Sequence, residues 1–247
     1  MSKQRLDYLI AGPSAPYRGG IADTQNELGK FLAKAGKKTQ LITFSKLYPN
    51  FLFPGKNQKR KEKLNTQDNT LEIIHSYNPF HWKKAIRYIN KTNPKTIIFR
   101  YYTPFLAPLY GWIAKRTNDG IKKIALVDNW IPHERRFWDK IFNRFFGTQV
   151  EAFTTFSSEV ASQIKDEFKK PIWEGFHPIN TNLLPQISST LARKKLGWES
   201  EKYIVLFFGI IRKYKGLELL IQAFADKKFN SENIILKVVG ECYEDKK

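Results

Sequence analysis

Short runs of β-branched and aromatic residues alternate with segments of helical periodicity along almost the whole chain, and that alternation admits few folds. The runs fall at 6–11, 39–44, 71–75, 96–101, 123–127, 152–156 and 172–174, and again at 203–208 and 234–239. Helical patterns lie between them at 21–35, 80–91, 104–115, 134–146, 158–168, 189–196 and 217–224. Repeated β/α units predict a parallel sheet with helical crossovers, because parallel neighbours cannot be joined by a tight turn. In the first helix Ile21, Leu28, Leu32 and Ala35 share a stripe expected to face the core. Ser157 and Ser158 supply good capping chemistry for the helix that follows them.

Seven strands before residue 175 complete one doubly wound, Rossmann-like domain over residues 1–178. Pro178, Pro185 and Gly197 mark 179–200 as an interdomain connection. Residues 201–247 then supply only strand, helix and strand, too little to enclose a core alone. A third βα unit would open at Val238-Val239-Gly240-Glu241, and the expectation is a second domain that is cut short.

Composition narrows the classes further. One cysteine, Cys242, excludes an internal disulfide framework and a cysteine zinc site. The first residues lack the apolar core of a signal peptide, and no apolar run approaches the ~20 residues that span a bilayer, so a cytoplasmic protein is expected. Net charge is +19, and residues 30–63 hold ten Lys and Arg against the single acid Glu62. Within residues 47–63 an aromatic and apolar cluster adjoins a lysine-rich run. That pairing suits contact with an anionic membrane, at the inner face of the bilayer, or with RNA; equally, its apolar part folds back on the core as part of a solvated loop. A non-catalytic basic module of either kind is the competing functional class, although no specific nucleic-acid module is recognisable.

Two turns carry candidate chemistry. Val205-Leu-Phe-Phe-Gly209-Ile-Ile-Arg212-Lys-Tyr-Lys215-Gly216-Leu217 takes an apolar strand through a glycine, then an arginine and a lysine three apart, into an amphipathic helix. Fixed cations beside a helix N-terminus suit a diphosphate; a solvated basic loop is the plainer reading. Ala11-Gly-Pro-Ser-Ala-Pro-Tyr-Arg18-Gly19-Gly20-Ile-Ala leaves the first strand in the same way, and its paired glycines admit either a ligand or merely a tight turn. It matches neither a dinucleotide fingerprint nor a Walker loop. A third segment, Asp128-Asn129-Trp-Ile-Pro132-His133-Glu134, follows the fifth strand, at the edge where α/β sites form. Asp128 and His133 are candidates to orient or deprotonate a hydroxyl, with His133-Glu134 as a helix cap the alternative. Four scattered histidines give no metal spacing.

Together the two glycine motifs resemble family 4 glycosyltransferases, and the likeness runs through most of residues 6–243. The resemblance implies an α/β, GT-B-like fold: a Rossmann-like N-terminal acceptor domain plus an incomplete, Rossmann-like donor domain. It implies transfer of a sugar from a nucleoside diphosphate sugar to a hydroxyl of a glycan or lipid-linked glycan, with retention and with neither metal nor cofactor. Gly19, Gly20, Gly209, Arg212 and Lys215 would hold the donor, while Asp128 and His133 would serve the acceptor. Many relatives carry a histidine directly after the fifth strand, where this chain has Asp128 and Asn129. The pair of glutamates that relatives use on the donor has no counterpart here, so the 247-residue chain is expected to turn over little or no donor unless a second chain completes it.

Overall fold

The computed structural model describes residues 5–49, 58–59, 70–132, 135–178, 185–226 and 233–242. They fall into two units, one of residues 5–49 and 58–178, the other of 185–242.

The first unit is a seven-stranded sheet, parallel throughout, in the order β3-β2-β1-β4-β5-β6-β7. Its strands are β1 (Tyr8–Ala11), β2 (Thr39–Lys46), β3 (Thr70–His75), β4 (Thr96–Tyr101), β5 (Lys122–Val127), β6 (Ala152–Thr155) and β7 (Ile172–Glu174). The connecting helices are α1 (Gly20–Lys34), α2 (Pro79–Thr92), α3 (Ala107–Arg116), α4 (Asp139–Gln149) and α5 (Ser158–Lys165). Chain direction along the sheet reverses between β1 and β4. The crevice beyond their carboxyl ends is where sheets of this type bind ligands.

Central strands are buried on both faces, which is why they read as unbroken apolar runs. Aromatic rings fill the layer between the sheet and the helices α3 and α4. Tyr101 stacks on Phe146 at 4.8 Å, Phe99 lies 5.2 Å from Tyr110, and Trp130 meets Phe153 edge-on at 5.8 Å. Leu47 belongs to this core and Tyr48 packs on it, its ring 5.3 Å from Phe105. These first members of the aromatic–basic stretch therefore turn inward; its residues 50–57 and 60–63 lie outside the described residues.

Three local expectations need correction. The helix expected from 134 begins at Asp139, because Asp139 Oδ2 accepts the Arg136 N–H at 2.7 Å and closes a turn ahead of it. His133 and Glu134 themselves lie outside the described residues. The segment expected as one helix over 104–115 opens as a 3-10 turn, Pro104–Leu106, before α3, and proline accounts for both starts. Finally, α1 buries Ala22, Gln25 and Gly29, while Ile21, Leu28 and Leu32 are half-buried and Ala35 is exposed. Small residues let the helix approach the sheet closely, and that outweighs the bulkier stripe.

The second unit pairs β8 (Tyr203–Phe208) with β9 (Ile234–Val239) in parallel. It adds α6 (Ser189–Leu196) and α7 (Leu217–Ala225). Ser188 caps α6 at its start and Gly197 ends it in the left-handed conformation.

Lys170 closes the C-terminal end of α4: its Nζ donates to the carbonyls of Gly147 at 2.9 Å, Thr148 at 3.0 Å and Val150 at 2.5 Å. A cation there satisfies carbonyls that the helix itself leaves open and opposes the negative dipole end. Lys170→Ala should lower unfolding stability by about 1–2 kcal/mol, read from urea denaturation at constant m-value.

Candidate functional site

Arg100 lies on the central strand β4 with its side chain 1% exposed, so its charge must be met inside the protein. Asp128, directly after β5, meets it twice: Arg100 Nε donates to Oδ2 and Nη2 to Oδ1, each at 2.5 Å. Nη2 also reaches Thr24 Oγ1 of α1 at 3.1 Å. The guanidinium thus joins two strands and a helix at the carboxyl edge of the sheet. Asp128 stays 14% exposed, but both of its oxygens are committed. That makes it an oriented anion with lone pairs to spare for a hydroxyl.

The loop behind Asp128 is fixed by buried bonds. Tyr101 Oη donates to Asn143 Oδ1, Asn143 Nδ2 donates to the Trp130 carbonyl at 2.7 Å, and Trp130 Nε1 donates to Glu167 Oε1 at 3.2 Å. His133, the other candidate on this loop, lies outside the described residues.

The loop from β1 to α1 crosses the switch point. Thr43 Oγ1 accepts the Ser14 N–H and Asn26 Oδ1 accepts the Ala15 N–H, tying it to β2 and α1. Farther along, the Arg18 N–H donates to the Gln58 carbonyl. Gly19 stands at φ 115°, ψ 160°, a conformation essentially closed to other residues, and no side chain caps α1. Gly20 follows as the first helical residue, with open space where a Cβ would project. The helix start is thereby presented as an anion-binding surface. Beneath the loop, a Cβ on Gly12 would lie 2.5 Å from Gln25 Oε1 and 2.6 Å from Arg100 Cβ, so only glycine fits. Ser14 Oγ and both amide atoms of Gln25 are buried without a hydrogen-bond partner among the described residues. Such groups hold ordered water or a polar ligand atom.

In the second unit the turn between β8 and α7 is built on glycine as well. Gly209 has φ 121° and Gly216 φ 72°. A Cβ on Gly209 would lie 3.5 Å from Lys215 Nζ, so the ammonium is folded back over the end of β8. Arg212 precedes a 3-10 turn, Lys213–Lys215, and Gly216 then opens α7 without a side-chain cap. Opposite, a Cβ on Gly240 would stand 1.8 Å from the Gly209 carbonyl oxygen, which makes glycine obligatory there. The structure thus places Gly209, Arg212 and Lys215 on one turn, and Gly19 and Gly20 on another in the first unit.

Gly12, Gln25, Arg100 and Gly240 are the residues that sequence reasoning did not single out. Arg100 left a signal, a lone charge in the apolar run 96–101, whereas Gln25 looked like any polar helix residue. Among the described residues no group of three or more His, Cys, Asp or Glu side chains is placed to hold a metal ion. His75 and His81 stand with ring centres 5.2 Å apart, and burial first, then His81 and Lys46, push the His75 pKa down.

No curated protein sequence matches the chain. Residues 188–247, which include α6, β8, α7 and β9, match the family described as Glycosyl transferases group 1. Among solved structures, the catalytic domain of starch synthase IV from Arabidopsis thaliana, bound to ADP and acarbose, superposes with a TM-score of 0.57 at 16% identity, over 97% of this chain and 69% of that one. A UDP-N-acetylglucosamine 2-epimerase from Rickettsia bellii gives 0.52 at 14% identity, over 95% and 62%. An alpha-glucosyltransferase in complex with UDP and a mismatched 13-mer DNA gives 0.51 at 10% identity, over 95% and 55%. At these identities the likeness establishes the fold, which is α/β and GT-B-like. The chain spans 55–69% of the length of these three structures.

Two expectations follow. Asp128→Asn strands the Arg100 charge in the interior, and unfolding stability should drop by about 3–5 kcal/mol, measured by denaturant titration. For His75 the folded pKa is depressed, so the unfolded chain takes up the proton first on acidification. Stability is then complete above the unfolded value of about 6.5 and falls as pH drops from there toward the folded value. His75→Gln should flatten the decline in melting temperature between pH 7.5 and 5.5.

Proposed function

We propose that the protein acts in glycosyl transfer, moving a sugar from a nucleoside diphosphate sugar to a hydroxyl of a glycan or lipid-linked glycan with retention of anomeric configuration. The observation that carries this reading is the turn Gly209–Gly216: Arg212, Lys215 and an uncapped helix start, built on left-handed glycines, inside the very segment that matches group 1 transferases. An epimerase shares the fold, so the fold alone does not choose the reaction; the segment match favours transfer.

Arg212 and Lys215 hold the diphosphate and offset the negative charge that grows as the sugar–phosphate bond breaks, in place of a metal ion. Gly209 lets the backbone come close to the phosphates. Gly19 and Gly20 offer the start of α1 as an anion-binding surface for the donor. Asp128, held by Arg100, orients the acceptor hydroxyl, and His133 on the same loop is the candidate proton carrier.

The test is thermal protection by UDP, ADP and GDP in turn. One of them should raise the melting temperature saturably, by the equivalent of about 2.7 kcal/mol at a hundred times its dissociation constant. Arg212→Ala should abolish the shift and Lys215→Ala should weaken it, with the unliganded melting temperature little changed. Absence of protection by all three at millimolar concentration would sink the reading.

A further inference from the structure

Three helices on one face of the seven-stranded sheet carry a charge asymmetry that nucleotide-sugar chemistry does not use. The crossovers through α2, α3, α4 and α5 all step the same way along the sheet, so right-handed connections place them on one face and α1, which steps the other way, on the opposite face. Helix α5 exposes both Glu159 and Lys165 and stands apart from the asymmetry of α2, α3 and α4. Those three form a continuous layer. Trp82 of α2 meets Trp112 of α3 at 6.3 Å, and a Cβ on Gly111 of α3 would lie 2.5 Å from the Phe145 ring of α4.

Toward solvent, α2 exposes Lys83, Lys84, Arg87 and Lys91. Helix α3 exposes Lys115 and Arg116, and α4 exposes Lys140 and Arg144. The three helices contain a single acid, Asp139, which is 9% exposed and turned inward to the Arg136 N–H. Eight cations and no exposed carboxylate therefore share the layer. Chance would interleave both signs on a solvated face. Among the cations stand large exposed apolar side chains: Phe80 is 83% exposed, Phe137 85% and Ile141 65%. Lys140, Ile141 and Arg144 lie on the exposed side of α4, and Phe137 stands in the turn just ahead of it, so apolar and cationic groups adjoin.

We propose that this face docks the protein on an anionic lipid bilayer, with Phe80, Phe137 and Ile141 entering the headgroup–acyl boundary and the cations lying over acidic headgroups. The charge pattern selects an anionic partner. The exposed phenyl and branched aliphatic side chains select a bilayer over a nucleic acid, whose backbone satisfies cations but offers Ile141 no apolar phase. The proposal is independent of the transferase reading. It also differs from contact through residues 47–63, where Leu47 and Tyr48 face inward and Lys59 is paired with Glu72 at 2.6 Å.

Co-sedimentation of the full chain with phosphatidylcholine vesicles, with or without about a third phosphatidylglycerol, tests it. Binding should require the anionic lipid. Replacing Lys83, Lys84 and Arg87 by Gln should weaken it by roughly a hundredfold, at about fivefold per charge. Phe137→Ser with Ile141→Ser should weaken it by at least roughly tenfold, while far-UV circular dichroism stays unchanged. Lys34→Gln with Lys37→Gln, on the α1 side, controls for overall basicity and should leave binding within about twofold. Equal binding to neutral vesicles, an equal loss in the α1-side control, or wild-type binding by the Phe137/Ile141 variant would each overturn the proposal. In the last case, binding of single-stranded RNA that is lost with the three charges would assign the face to nucleic acid.

Discussion

A guanidinium in the middle of a parallel sheet cannot be left unpaired, and the first unit is arranged around that constraint. Arg100 is met by both oxygens of Asp128 and by Thr24, so β4, the end of β5 and the first turns of α1 are set relative to one another by a single cation. The same side chain dictates that Gly12 have no Cβ. Replacing the set with apolar residues would cost the molecule little in principle, since buried ion pairs rarely add net stability. What the pair contributes is geometry: it fixes the loop after β5 and the glycine-rich loop before α1 at one edge of the sheet.

The two glycine turns solve one physical problem in two ways. Each delivers a strand into a helix that no side chain caps, so the helix start faces outward as a partial positive charge. At Gly19 the backbone itself is the exposed surface. At Gly209–Gly216, Arg212 and Lys215 add full charges, and the left-handed glycines keep the chain thin enough for a phosphate to approach. The basic character of the protein is thus not diffuse. Part of it sits on this turn, and another part forms the outer side of the α2–α3–α4 layer, where the one acid is turned inward.

The strands were legible to within two residues because buried parallel strands are nearly continuous apolar runs, and nothing else in the chain looks like them. The Gly209–Gly216 turn was legible for a similar reason: glycine, cation and helix start lie within eight residues of one another. What escaped depended on residues far apart in the chain. The start of α4 was hidden because Asp139 turns its side chain back to Arg136, a choice that apolar periodicity does not encode. The buried stripe of α1 was misjudged because small residues at Ala22 and Gly29 give closer contact than Leu28 and Leu32. For Tyr48 the sequence left a docking surface and a fold-back on the core equally open, and contact decided it: Tyr48 packs on Phe105 and shares a hydroxyl contact with Tyr102 from 54 residues away.

By itself, then, the sequence determined the fold class, the alternation of strand and helix, and the places of both glycine turns, since each of these is carried by local pattern. Only the tertiary structure decided which charges are spent and which are on offer. Asp128 reads as a free acid until Arg100, 28 residues earlier, is seen to take both its oxygens. Lysines and arginines scattered over residues 83–144 read as ordinary solubility until three helices bring them onto one face without a counter-charge. Pairing and segregation of charge are properties of distance in space, and only the folded sheet sets those distances.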